Sequence, residues 1–565
     1  MSTFLTSYII FSVVVLAVIN VAVRRRKSAP VPRDAEKAEL SNGIMVNRNV
    51  ETASTAAPPR QAELANIGDS RAKVVATIML GAFVAILNQT LINVALPHMM
   101  NDFNVETSTI QWLVTGYMLI NGVLIPISPF LIAKFPTKKL FLAGMAFFAI
   151  GAFICSVAPS FAVMLTGRLI QAIGAGIIMQ LMMVIMLNIF PPEKRGVAMG
   201  TVGIAMMFAP AVGPTLSGWI VDHYSWRLLF YVVLPIAIID IVLAFLWLKD
   251  TSKTGNPPLD WRGAIYSTIG FGGVLYGFSE AGSNGWVQTN VIVSIIVGVV
   301  FLILFTWRSL TVENPILNFR VFKYNVFTLS TIIGCVINMA LFAAMVLLPV
   351  YLQNLRGFTP LDAGLLLLPG AIVMAIMSPI SGWIFDRIGA RMLAIVGLVI
   401  TVVTTWEFSK LTMDTPYSHI LMLYIFRMFG MSMLGMPIMT EGLNALPRHL
   451  YSHGTAMANT LRQVAASLGT AFLVTVMSNR TKFHAENYRN EMTENNPFFL
   501  DIMAQLKQVI PSDEAIAQLL YGIVQQRSAI EGINDAFFVA TGLAFLALIL
   551  AFFLRGKKRN APSSS

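Results

Sequence analysis

Charge is what this sequence has least of. Of its 565 residues only 12% are Asp, Glu, Lys or Arg, while 56% are hydrophobic; soluble domains carry about 25% charged residues. Such a chain cannot cover its apolar surface with polar groups, which excludes a soluble globular body and makes lipid its solvent. Cysteine is nearly missing as well. Cys155 and Cys335, the two present, both sit in apolar runs, so neither a disulfide framework nor a cysteine-based zinc site can form. No GxxxxGK[ST] loop, HExxH pair or GxSxG elbow occurs, which removes the usual foundations for ATP hydrolysis, zinc proteolysis and serine hydrolysis.

What the chain does have is apolar length. A spanning helix needs about 20 apolar residues, and about fourteen runs meet that test between residues 74–96 and 534–554. A further run, 3–23, is followed by Arg24, Arg25, Arg26 and Lys27 and preceded by no basic residue. Secretory signals carry their charges in front, so residues 1–23 are expected to be an uncleaved anchor with the N-terminus outside. Residues 24–71, rich in Ala, Pro and charge, read as a flexible cytoplasmic linker.

The net charge of +11 is explained by orientation rather than by nucleic acid. With residues 24–73 inside, the inner loops collect Lys134, Lys138, Lys139, Lys194, Arg195, Arg262, Arg308, Arg320, Lys323, Arg387, Arg391 and Arg448, whereas the short outer loops hold Arg227, Arg356 and Lys410. The positive-inside rule selects this topology, with the 556–565 tail cytoplasmic. The polar segment 478–533 then falls outside. Its stretch EAIAQLLYGIVQQ is either an amphipathic helix on the membrane surface or a hairpin capping the bundle.

The chain also repeats itself. RLIQAIGAG from Arg168 returns as RMFGMSMLG from Arg427, and RGVAMG at 195–200 returns as HGTAMA at 453–458. Two six-helix halves, 72–250 and 326–555, therefore flank an inserted pair of helices within 251–325. Six-helix repeats around a central cavity are the architecture of alternating-access carriers. The fold class expected is an all-α polytopic membrane protein.

Several motifs carry chemistry. GWIFDRIGAR places Gly382 and Gly389, suited to close approach and a tight turn, around Asp386, Arg387 and Arg391. LTGRLIQAIGAG puts Arg168 and Gln171 at bilayer depth, where an arginine must face a cavity or a partner. APAVGPTLSGW bends a helix at Pro214 and offers Gly213 and Gly218 to a neighbour. These segments, with SWRLLFYVVLP and NTLRQVAASLGTA, resemble the signatures of the major facilitator superfamily, in particular its fourteen-helix drug:proton antiporters, and among those the lincomycin-efflux type. The resemblance spans residues 74–555. It implies an inner-gate role for the Asp386 motif, a proton-coupling role for Arg168 and an antiporter motif at Gly213, Pro214 and Gly218. Two departures stand out. The first-half gate copy reads PFLIAKFPTKK, with Ala133 where the aspartate belongs. The first-helix motif reads LNQTLINVALP, with Asn88 where many members carry an acid.

Asn88, Gln89 and Asn93 form a polar stripe that cannot face lipid cheaply. It either lines the transport path or joins helices by hydrogen bonds. Trp112 and Tyr117 are aromatic candidates for the same cavity, against packing as the alternative. Proton coupling needs a titratable group at depth. Asp240, mid-helix in IAIIDIVLAF, is the first candidate, followed by Glu280 and Glu407 near helix ends. The 31 methionines suit a wall that accepts varied apolar ligands, though helix packing explains most of them equally well.

The function expected is proton-coupled efflux of hydrophobic or amphiphilic, often cationic, drugs across the plasma membrane. The expected partners are a small-molecule substrate, protons and the lipid bilayer, with no nucleic acid, no cofactor, no metal and no enzymatic activity, in a monomeric chain. Alternatives are an exporter of one endogenous metabolite, lipid or peptide on the same fold, and a non-transporting membrane sensor or scaffold.

Overall fold

The computed structural model describes residues 68–554, apart from parts of 251–259 and of 493–511. The expected anchor 1–23, nearly all of the linker 24–71 and the tail 556–565 lie outside the described residues.

Helices make up the described chain, with no strand among its residues. The first half comprises α1 (Gly68–Phe103), α2 (Trp112–Lys134), α3 (Thr137–Ser156), α4 (Phe161–Ile189), α5 (Arg195–His223) and α6 (Leu228–Trp247). The inserted pair is α7 (Trp261–Asn284) and α8 (Thr289–Thr311). The second half comprises α9 (Asn325–Pro349), α10 (Pro360–Ile388), α11 (Ala390–Glu407), α12 (Tyr417–Ser432), α13 (Gly435–Asn444), α14 (Tyr451–Glu491) and α15 (Asp513–Ala551). Among the described residues thirteen helices are long and apolar enough to cross a membrane, α12 and α13 counting as one. Helix α7 has the length but is interrupted by polar and glycine residues. The protein is a multi-pass membrane protein.

Several helices outrun the apolar runs that announce them. Helix α14 continues to Glu491 and α15 begins at Asp513, so much of 478–533 is helical. Residues 514–526 form the first turns of α15. The extensions of α14 and α15 pair as a hairpin: the His484 imidazole sits between Glu531 Oε2 (3.0 Å) and Asp535 Oδ2 (2.8 Å), Arg480 pairs with Asp535 and Tyr488 donates to Glu531. Gln526 Nε2 ties the hairpin to the bundle through the Leu355 carbonyl, 2.8 Å away. Charges spaced along both helices lower the hydropathy of these turns, so the apolar runs stop short of the helix ends.

Small residues set the packing. Helices α3 and α4 cross so closely that a Cβ on Gly151 would lie 2.5 Å from the Gln171 nitrogen, and one on Gly174 would lie 2.3 Å from the Gly144 carbonyl oxygen. The two halves meet along α5 and α10 from end to end. Gly196 lies against Gly382, Gly200 and Gly203 against Ser378, and Thr215 against Gly364. Such stripes allow backbone approach where lipid supplies no hydrophobic driving force. The inserted pair covers one flank. Helix α7 rests on α2 at Gly122 and Leu275 and on α14 at Gly282 and Ala471. Helix α8 packs on α7 around Gly273 and Gly298 and turns Ile303 and Trp307 outward. An ion pair of Arg308 with Asp260, at 2.6 Å, pins the pair at one end.

Candidate functional site

The loops carrying Lys134, Lys138, Lys194, Arg387 and Arg448 share one end of the bundle, here the basic face. There, Asp386 at the end of α10 accepts hydrogen bonds from the Gly196 nitrogen (2.8 Å, Oδ1) and the Val197 nitrogen (3.1 Å, Oδ2) in the first turn of α5. The opening N–H groups of a helix have no partner within it and carry the positive end of its dipole, so a carboxylate fits. Gly382 makes the approach possible, since a Cβ there would lie 2.0 Å from the Gly196 carbonyl oxygen. Gly389 ends α10 at φ 83, a left-handed conformation that favours glycine. Arg387 stacks on Trp383 at 3.7 Å, and Arg391 is exposed.

A second contact across the halves was not legible as a site in the sequence. Arg195, buried, donates through Nη1 to Asn444 Oδ1 and to the Tyr451 hydroxyl, both at 2.9 Å, and through Nη2 to the Leu187 carbonyl at 2.9 Å. Its repeat partner, His453, was the available signal. The halves also join deeper in the bundle, where Asn459 Nδ2 donates to Gln180 Oε1 at 3.1 Å. The basic face is therefore closed. Where symmetry would place the second gate carboxylate, Ala133 and His453 line a small cavity of about 120 Å³ with Pro129, Phe130 and Glu313 of the loop after α8.

Arg168 is buried within the first half. Its Nη1 donates to Asn88 Oδ1 (2.6 Å) and Gln171 Oε1 (2.8 Å), and its Nε to the Leu113 carbonyl (3.4 Å). The Tyr117 ring lies 4.2 Å from the guanidinium and its hydroxyl donates to the Ala85 carbonyl at 3.4 Å. Arg168 Nη2 and Gln171 Nε2 have no partner among the described residues. Asn88, Tyr117, Arg168 and Gln171 thus converge. Gln89 is half-buried and Asn93 exposed, so the stripe is split between an arginine ligand and a more open helix flank.

Trp112 lies elsewhere. It is exposed and stacks on Tyr276 of α7 at 5.8 Å, with half-buried Glu280 one turn further along α7. Glu407 pairs with Lys410 at 2.8 Å on the face opposite the basic one, at the rim of a cavity of about 360 Å³. Asp240 is fully buried, against Gly81 of α1 and near Phe141 and Met145 of α3, and neither carboxylate oxygen has a partner among the described residues.

Helix α5 joins these parts. Gly213 faces α1, where a Cβ would lie 2.2 Å from Thr90 Oγ1, and Ser217 one turn on donates to the Leu91 carbonyl at 2.6 Å. Gly218 turns to α10 near Leu361. Pro210 and Pro214 remove two N–H donors within the helix. The helix that touches Asp386 at one end thus packs beside the Arg168 helix pair at the other.

The profile of the Major Facilitator Superfamily matches residues 78–470. An uncharacterized MFS-type transporter of Bacillus subtilis, YhcA, is 50% identical over 492 residues, 86% of this chain and 92% of its own. The lincomycin resistance protein LmrB of the same organism is 40% identical over 487 residues, 86% and 96% of the two chains. The multidrug export protein EmrB of Escherichia coli is 26% identical over 482 residues, covering 85% and 94%. Among solved structures, the human organic anion transporter MFSD10 superposes with a TM-score of 0.58 at 14% identity, covering 85% of this chain and 99% of that one. The proton:xylose symporter XylE gives 0.52 at 13%, covering 86% and 96%.

Proposed function

The chain belongs to the major facilitator superfamily and is a secondary transporter, and we propose that it exports hydrophobic or amphiphilic small molecules across the plasma membrane in exchange for protons, by alternating access. The named activities of LmrB and EmrB support export of drugs. The observation that carries the reading is the closed basic face. Asp386 on the α5 N-terminus and Arg195 on Asn444 and Tyr451 are contacts between halves made of hydrogen bonds, which can be exchanged for water when the halves rock apart. The basic face is cytoplasmic by the positive-inside rule, which puts the C-terminus inside and, with the extra anchor, the N-terminus outside. The working unit is a monomer without a cofactor.

Protonation and substrate binding would each favour one of two arrangements. Arg168 gives the site a fixed positive charge that Asn88 and Gln171 solvate without neutralising. Asp240 is the first candidate for the proton carrier: enclosed between α1, α3 and α6 with no donor among the described residues, it can exchange a proton with water only when that packing opens. Glu280 and Glu407 remain the alternatives near helix ends. One proton moved through 100 mV supplies about 2.3 kcal/mol, enough for a useful concentration gradient.

Uptake of a fluorescent amphiphile into everted vesicles, with and without a proton gradient, tests this. Gradient-driven uptake is expected in the wild type and is lost in Arg168→Ala. Substrate-induced proton release from the purified chain, lost in one of Asp240→Asn, Glu280→Gln or Glu407→Gln, identifies the carrier. Uptake indifferent to the gradient contradicts the coupling. A second reading, export of one endogenous metabolite, lipid or peptide, draws support from Asn88: without a first-helix acid the site offers a cationic drug no counter-ion.

A further inference from the structure

Resting on that export reading, we propose that the exported molecule carries an acidic head group, a carboxylate or sulfonate on an apolar body, and that Arg462 receives it within the second half, beside the seam that Asn459 bridges. Position comes first. Asn459 and Arg462 stand three apart on α14 and share a face. Asn459 bonds Gln180 of the other half; Arg462, one turn further from the basic face, packs within the second half on Gly334 of α9 and Met439 of α13. The residue is half-buried at bilayer depth, with its Nε enclosed.

Chemistry comes second. Arg462 Nη1 has Met439 Sδ at 3.0 Å, and Nε has no partner among the described residues. A thioether is a weak acceptor, so Nη1 is weakly met and Nε unmet. Beneath it Gly334 is bare, and a Cβ there would lie 2.6 Å from Nε; the backbone gives way so that the planar fork can lie flat. A planar fork with free donors matches a carboxylate or sulfonate, which supplies two acceptors at once.

The surroundings have the same sign. Arg427 reaches the Ala340 carbonyl at 3.3 Å, and its Nε is unpartnered among the described residues. Arg168 is held by neutral oxygens. No ion pair of Arg168, Arg427 or Arg462 occurs among the described residues. The buried carboxylates there are Asp240, set against Gly81, and Asp260, paired with Arg308. Half-buried Glu441, near the basic end of α13, has contacts of its own. A bundle holding three guanidinium groups without a paired acid repels a cation and attracts an anion. The sign is the reverse of the cationic cargo that the sequence resemblance suggests.

Three probes with one apolar body test the head group: pyrenebutanoate, pyrenebutanol and pyrenebutyl-trimethylammonium, bound to the full chain in nanodiscs and taken up by everted vesicles. The acid is expected to bind at least about tenfold more tightly than the cation. The acid-to-alcohol affinity ratio should fall toward one in Arg462→Gln and recover in part in Arg462→Lys, which keeps the charge without the fork. Equal binding of acid and cation by the wild type, or an unchanged ratio in Arg462→Gln, overturns the inference and leaves the export reading standing. Absence of gradient-driven uptake of all three probes removes the export reading and this inference with it.

Discussion

Asn88 accepts a 2.6 Å hydrogen bond from Arg168, at the point where an acid would have made a buried ion pair. The arginine is solvated by amides, with no carboxylate paired to it among the described residues. Asn88→Asp should neutralise the site and raise thermal stability, while making uptake of any anionic substrate several-fold slower. Asn88→Leu should instead strand the guanidinium, costing about 1–3 kcal/mol. Thermal unfolding of the purified variants and vesicle uptake check both.

Asp386→Asn keeps the shape of the side chain but removes its negative charge from the α5 N-terminus, where Gly196 and Val197 donate to it. A charge at a partly buried helix end contributes up to about 2 kcal/mol. The expected outcome is a population shifted toward an open basic face, read as faster labelling of cysteines introduced along the α5–α10 seam.

Ala133→Asp adds an acid at the helix position of the gate motif, in the cavity that Ala133 shares with Glu313 and with His453 at the start of α14. A second gate contact should form there, holding the basic face closed. Slower labelling at that face and lower turnover are expected, and combining Ala133→Asp with Asp386→Asn should return part of the lost closure.

Gly213→Ala should destabilise the first half, because its methyl would fall 2.2 Å from Thr90 Oγ1, a hydroxyl already engaged with the Leu87 carbonyl at 2.9 Å. Overpacking of this kind costs about 1–3 kcal/mol. Thr90→Ala in the same chain should recover part of that loss, and a double-mutant cycle on thermal stability measures the coupling.

The sequence by itself determined the helices, the two-fold repeat and the family. Each rests on one-dimensional information: apolar run length against a fixed bilayer thickness, recurring spacings, and charge counted loop by loop. It also singled out Arg168 and Asp386, because a charge beside glycines at depth or at a helix end has few inexpensive solutions. It could not decide which polar groups meet. Asn88 and Asn93 lie five residues apart in one helix; the first ligates Arg168 and the second is exposed, since each residue turns the side chain by about 100°. Trp112 and Tyr117 parted for the same reason, one to Tyr276 of α7 and the other to Arg168. Arg195 read as one more loop cation until Asn444 and Tyr451, far along the chain, came within 2.9 Å of it. Arg462 was one residue of a motif until tertiary packing gave it a sulfur for a neighbour and no acid. In a bundle whose helices are all apolar, partner choice is set by which faces the crossings bring together, and that geometry belongs to the tertiary structure.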